Sequence, residues 1–160
     1  MEANTTVTRQ QLVELLNEDL AREYQAIIAY VVYSQVIKGA AYTDIARELQ
    51  RHAADELNHA LLIAKQIDYL GGTPTVTPKA VKLSDEPKEL LEYDLANERE
   101  TIAHYRHRIQ QAEALGEYAL SETLREIIVQ EQEHEIDLAS ALGIEVGLPA
   151  SVRNELLRSI

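Results

Sequence analysis

Glu56-Leu57-Asn58-His59 and Glu131-Gln132-Glu133-His134 spell the same Glu-x-x-His motif 75 residues apart, and each has another glutamate, Glu23 or Glu98, 33 residues before it. Four carboxylates and two imidazoles therefore obey one offset. The same offset carries Leu15, Leu16, Asp19, Leu20, Ala21, Ile27, Tyr30, Leu49 and Ala64 onto Leu90, Leu91, Asp94, Leu95, Ala96, Ile102, Tyr105, Leu124 and Ala139. A chain written in this way folds as two copies of one unit.

Start and stop signals make that unit a helical hairpin. Thr8 to Gln11 reads as a capping box opening a helix that runs to Lys38, with Gly39 past its end. Thr43 or Asp44 caps a second helix that continues to Leu70 and stops at Gly71-Gly72. The stretch from Gly72 to Leu83, with Pro74 and Pro78, has no helical period and reads as a long connection. Ser84 or Asp85 caps a third helix, Pro87 falls in its first turn, and it ends at Leu115-Gly116. A fourth helix runs from about Tyr118 to Leu142, and the segment from Ser151 to Ser159 is expected to form a short fifth. Short turns within each half and a long crossover between them specify an all-α four-helix bundle of two antiparallel hairpins over about 8–143. The expected domain is single, 1–160, with a C-terminal tail or short helix over 147–160.

The polar repeats sit inside apolar stripes. The first helix presents Leu16, Leu20, Glu23, Ile27 and Tyr30 on one face, and the third presents Leu91, Leu95, Glu98, Ile102 and Tyr105. The second and fourth carry Leu49, Glu56, His59, Ile63 and Leu124, Glu131, His134, Leu138. A spacing of three puts each Glu and its His side by side on the inward face. Four buried carboxylates without counter-charge each cost several kcal/mol or protonate, so something positive is required among them. Two divalent cations would cancel the charge, and carboxylates with one imidazole per ion suit Fe or Mn. The competing reading makes these residues surface ion pairs. Glu is 20 of the 160 residues, so one Glu-x-x-His alone says little; the repeat inside apolar faces argues against that reading. Tyr30 and Tyr105 lie two turns beyond Glu23 and Glu98, either as partners of ligand carboxylates or as ordinary core tyrosines with satisfied hydroxyls. His52, one turn before Glu56, reads either as a group standing behind the ligands or, more simply, as a helix-face histidine without a metal role, and His104 and His107 read as solvated.

Composition excludes other chemistries. With no Cys there are no thiolate sites or nucleophilic thiols, and the net charge of -12 disfavours nucleic acid and anionic lipid while drawing in cations. No stretch approaches the ~20 apolar residues of a membrane span, and the polar start of the chain has no signal-like region, so cytoplasm is the expected location.

In the order Glu23, Glu56, His59, Glu98, Glu131, His134, the chain resembles the bacterioferritin branch of the ferritin-like superfamily over roughly residues 8 to 145. The resemblance implies two Fe ions per subunit, with Mn as an alternative. Glu23 with His59 and Glu98 with His134 would be the terminal ligands, with Glu56 and Glu131 bridging. It implies a ferroxidase taking Fe(II) and O2 or H2O2 in an iron storage or detoxification protein, assembled as a 24-subunit shell, a dimer being the simpler alternative. Tyr24, Val32 and Tyr33 on the outer faces, and the tail from Pro149 to Ile160, are the candidate contact surfaces. Two departures matter. Leu57 stands where the family's haem-ligating methionine would be, so haem is not expected. Arg51 replaces the histidine of the family's inner-surface iron site, of which Asp55 keeps the acidic half. Rubrerythrins resemble the core but have a glutamate where this chain has Leu95 and are the poorer match; a small soluble di-metal oxidase or peroxidase is the alternative function, and a non-catalytic metal-binding bundle a third.

Overall fold

The computed structural model describes residues 6–146. Four helices, α1 (Arg9–Val36), α2 (Thr43–Tyr69), α3 (Pro87–Ala114) and α4 (Tyr118–Ala141), make up the fold, with a 3-10 turn at Ala40–Tyr42 between the first two and no strand among the described residues. At 28 residues α1 is roughly 42 Å long. The expected capping box is present: Thr8 Oγ1 accepts from the Gln11 N–H at 3.1 Å, and Gln11 Oε1 accepts from the Thr8 N–H at 2.9 Å. Two other caps differ from expectation. Thr43 is the first residue of α2, entered from the 3-10 turn through Tyr42, with no side-chain cap. Neither Ser84 nor Asp85 caps α3; Pro87 opens that helix after Glu86, and Ser84 Oγ accepts from the Glu86 N–H instead. α1 also stops at Val36, two residues before Lys38. The fifth helix expected over 151–159, and the tail expected to make contacts, lie outside the described residues.

α1 packs chiefly on α2 and α3 on α4, and the two hairpins dock through α1 against α3 and α2 against α4. Asp19 faces Arg108 while Arg22 reaches Asn97 and Thr101, so α1 and α3 are antiparallel. α2 and α3 consequently run in the same direction, and the chain must travel the length of the bundle between them. It does so in extended form along α1. Asn17 holds Thr73 and Thr75, the Lys79 N–H donates to Ala21 O, Gln25 Nε2 donates to Ala80 O, and Tyr33 Oη donates to Lys82 O. At its start Gly71 takes φ +88°, and a Cβ on Gly72 would lie 2.3 Å from Val13 Cγ1.

Two apolar clusters fill the bundle. One gathers Leu12, Leu16, Leu20, Ile63, Ile67, Leu120 and Leu124. The other gathers Tyr33, Ile45, Leu49, Leu90, Leu91, Leu95 and Leu138. Each buried Leu or Ile contributes about 1.5–3 kcal/mol. That gain offsets the cost of the polar layer between the clusters.

Candidate metal centre

The polar layer consists of the six side chains singled out by the repeat. Glu23, Glu56, Glu98 and Glu131 are 1–3% exposed, and His59 and His134 are fully buried. Reading them as surface ion pairs is excluded by that burial. One oxygen or nitrogen from each of Glu23, Glu56, His59 and Glu131 falls within 4.8 Å of the others, and the same holds for Glu56, Glu98, Glu131 and His134. Glu56 and Glu131 belong to both groups. His59 Nδ1 lies 2.9 Å from Glu131, 3.2 Å from Glu56 and 3.7 Å from Glu23. His134 Nδ1 mirrors it at 3.0 Å from Glu56, 3.5 Å from Glu131 and 3.7 Å from Glu98.

Electrostatics show what such a layer requires. Burial pushes Glu56 well above the usual carboxylate range, with repulsion from Glu131 and Glu23 adding to it. Burial and Glu131 push Glu98 up to about 8. Burial and Glu23 act upward on Glu131 too, but Glu98, His134 and His59 crowd protons against it and hold it below its ordinary value. Burial alone would lower both histidines; the surrounding carboxylates overturn that and hold His59 and His134 far above the imidazole range. Without another cation, protons neutralise the layer. They do so incompletely: although the imidazoles lie within ion-pair distance of the carboxylates, Glu23 Oε2, Glu56 Oε1, Glu98 Oε2, both Glu131 oxygens and His134 Nδ1 are buried without an aligned hydrogen bond. Unpartnered donor atoms converging on two adjacent points fit a pair of metal ions.

A profile described as the ferritin-like domain matches residues 13–144. The chain belongs to the ferritin-like family. A solved structure of ferritin-like, diiron-carboxylate proteins from Bacillus anthracis str. Ames is 38% identical to this ferritin-like protein, with a TM-score of 0.81 over 84% of this chain and 96% of that one. The dodecameric thioferritin of Bacteroides fragilis, a bacterioferritin-related protein, is 28% identical with a TM-score of 0.79, covering 86% of this chain and 87% of its own. Among curated relatives, the bacterioferritin of Brucella melitensis biotype 1 is 25% identical over 84% of this chain and 88% of its own. No helix among the described residues of this family member is long and apolar enough to cross a membrane.

Both tyrosines are buried with satisfied hydroxyls, and each reaches across to the other repeat: Tyr30 donates to Glu98 and Tyr105 to Glu23. Other expectations need correction. His52 is fully buried, stacks on His134 with ring centroids 4.0 Å apart, and pairs through Nε2 with Asp137 at 3.0 Å. Glu48 completes a third acidic and imidazole group there, but Arg51 already spans Glu48 at 2.7 Å and Asp137 at 3.2 Å. His104 is half-buried within 3.8 Å of Asp19 and of Glu100, whereas His107 is exposed. Tyr33 is buried beneath the crossover, not on an outer face; Ile28, Val31, Val36, Leu57, Leu61 and Tyr69 carry the exposed apolar surface of α1 and α2. Asp55 turns toward the layer and pairs with His134 Nε2 at 2.9 Å. The sequence reading missed Gln130, whose Oε1 lies 2.6 Å from His59 Nε2. The repeat itself held that signal, since Gln130 is 75 residues after Asp55.

Proposed function

We propose that this protein is a ferroxidase of bacterioferritin type, binding two iron ions through Glu23, Glu56, His59, Glu98, Glu131 and His134 and taking Fe(II) and O2 or H2O2 as substrates. The observation that carries this reading is the pair of buried groups sharing Glu56 and Glu131, each with unpartnered donor atoms. The diiron-carboxylate relative from Bacillus anthracis and the Brucella bacterioferritin support it. Two iron ions held together would supply two electrons at once to the oxidant.

The protein's part is placement and charge. Glu56 and Glu131, placed between the groups, would bridge, while Glu23 with His59 and Glu98 with His134 would close each end. Tyr30 and Tyr105 hold the two terminal carboxylates in place by donating to them. Four carboxylates balance two divalent ions and favour the more highly charged ferric product. His59 and His134 must give up their Nδ1 protons as ions bind, so loading releases acid. The net charge of -12 raises the local concentration of Fe(II) around the protein.

Storage further requires a closed shell of copies. The exposed Ile28, Val31, Leu57 and Leu61 on α1 and α2 supply apolar contact surface for one, and the Bacteroides relative is a dodecamer. One observation favours a second reading, a soluble di-metal oxidase that accumulates no mineral. Asp55 is engaged with His134 and Arg51 with Glu48 and Asp137, which leaves no inner-surface relay pair. Anaerobic Fe(II) titration, oxygen uptake and light scattering test both. Two Fe(II) per subunit, rapid oxygen consumption and the mass of a closed shell are expected. A mass near two subunits would overturn storage, and no oxygen uptake with Fe(II) bound would overturn the ferroxidase.

A further inference from the structure

The repeat superposes the two halves of the centre almost residue for residue, including the crossed Tyr30–Glu98 and Tyr105–Glu23 bonds. It breaks immediately outside the histidines. In both halves Nδ1 faces the carboxylates and Nε2 faces outward. With Nδ1 free to bind an ion, Nε2 carries the hydrogen and donates it. His134 Nε2 donates to the Asp55 carboxylate at 2.9 Å, whereas His59 Nε2 donates to the Gln130 amide oxygen at 2.6 Å. Asp55 and Gln130 are the repeat equivalents of one another. The next layer breaks the same way: His52, stacked on His134 and paired with Asp137, has as its equivalent Ile127, which brings neither charge nor hydrogen bond.

We infer that the two ion positions are graded, the Glu98–His134 position binding first and more tightly and the Glu23–His59 position binding second and exchanging. Asp55 and Gln130 set the order as positioning residues acting through the imidazoles. A carboxylate accepting from Nε2–H draws the hydrogen outward and leaves Nδ1 a stronger donor to a cation. A neutral amide does this much less. Partners of this kind change metal affinity roughly 10- to 100-fold. The ligands themselves are matched, so the difference in the outer partners decides the order.

This inference rests on the dinuclear reading, and the experiment separates the two. Chelated full-length protein is titrated with Co(II) by calorimetry and by visible absorption, at an ionic strength that suppresses non-specific binding. Two steps are expected, separated roughly 10- to 100-fold in affinity. Asp55→Asn should weaken the first step until the two merge, and Gln130→Asp should strengthen the second until they merge at higher affinity. The exchange variant Asp55→Gln/Gln130→Asp should invert the order. Anomalous scattering from crystals holding one equivalent of Co(II) would then move from the His134 position to the His59 position, a result that mere loss of packing cannot produce. Failure of the wild type to bind two ions overturns the dinuclear reading. Two ions bound with equal affinity, or an exchange variant that still fills the His134 position first, overturns the grading alone.

Discussion

Removing metal should make this protein less stable as pH rises, the reverse of a fold whose carboxylates are salt-bridged. Glu98 is raised from 4.5 to about 8 by burial and by Glu131, so the folded state keeps a proton that the unfolded chain releases. The stability linked to that proton is fully present below pH 4.5 and is lost as pH climbs through about 8. Between pH 5.5 and 8 the loss from this one group is about 3 kcal/mol. Glu56 is raised as well and acts in the same sense. His59 and His134 stay protonated when folded while the unfolded chain gives up its imidazole protons near 6.5, so each adds up to about 2 kcal/mol to the decline. His52 is lowered by burial and by His134 and acts in the opposite sense. Glu131, held below its ordinary value, is ionised in both states across the window and contributes no slope. The assay is urea unfolding of EDTA-treated protein at pH 5.5 and pH 8, at one protein concentration because assembly is linked to stability. A midpoint that is flat or rises with pH would refute the reasoning. With Mn(II) present the slope should reverse, because ions bind the deprotonated ligands that high pH supplies.

Metal loading at pH 7.5 should stabilise the chelated protein by about 2.7 kcal/mol per site at a hundredfold excess over Kd, which calorimetric scans with and without Mn(II) would read as a higher melting temperature. Glu131→Ala, which removes a carboxylate common to both groups, should abolish paired Fe(II) oxidation, whereas Glu133→Ala at an exposed position should leave the stopped-flow oxidation rate unchanged. Arg108→Ala leaves Asp19, 1% exposed, without its 2.7 Å partner and should cost roughly 3–5 kcal/mol in denaturant unfolding. Leu57 offers no sulfur at the family's haem position, so protein purified from haem-replete cells should lack a stoichiometric Soret band in its absorption spectrum.

What the sequence disclosed and what it withheld divide along local and non-local lines. Helix ends marked by Gly71, Gly116 and Gly143 were legible, as was the Thr8–Gln11 capping box, because each signal lies within one turn of the boundary it sets. The entrance of α2 was not, since a 3-10 turn delivers the chain there in place of a side-chain cap. The six residues of the polar layer were legible because a repeat inside apolar stripes fixes the inward face. Arg108 is buried and paired to Asp19 while its neighbours Arg106 and His107 are exposed. No local pattern separates it from them; its partner lies 89 residues away. The same repeat that aligns Asp19 with Asp94 conceals their different states. Asp19 meets Arg108, whereas the equivalent of Arg108 is Tyr33, and Asp94 is left with one unpartnered oxygen and a carboxyl pushed well up by burial and by Glu98.

Each four-residue group takes three members from one hairpin and one glutamate from the other: Glu131 joins Glu23, Glu56 and His59, and Glu56 joins Glu98, Glu131 and His134. Neither hairpin owns a complete set. The crossover ties the halves together covalently, but it runs along α1 and supplies no member of either group. A chain severed between Thr75 and Lys79 would therefore be two fragments with complementary, unfinished chelators, and a divalent cation would act as the clasp that draws them back into one molecule.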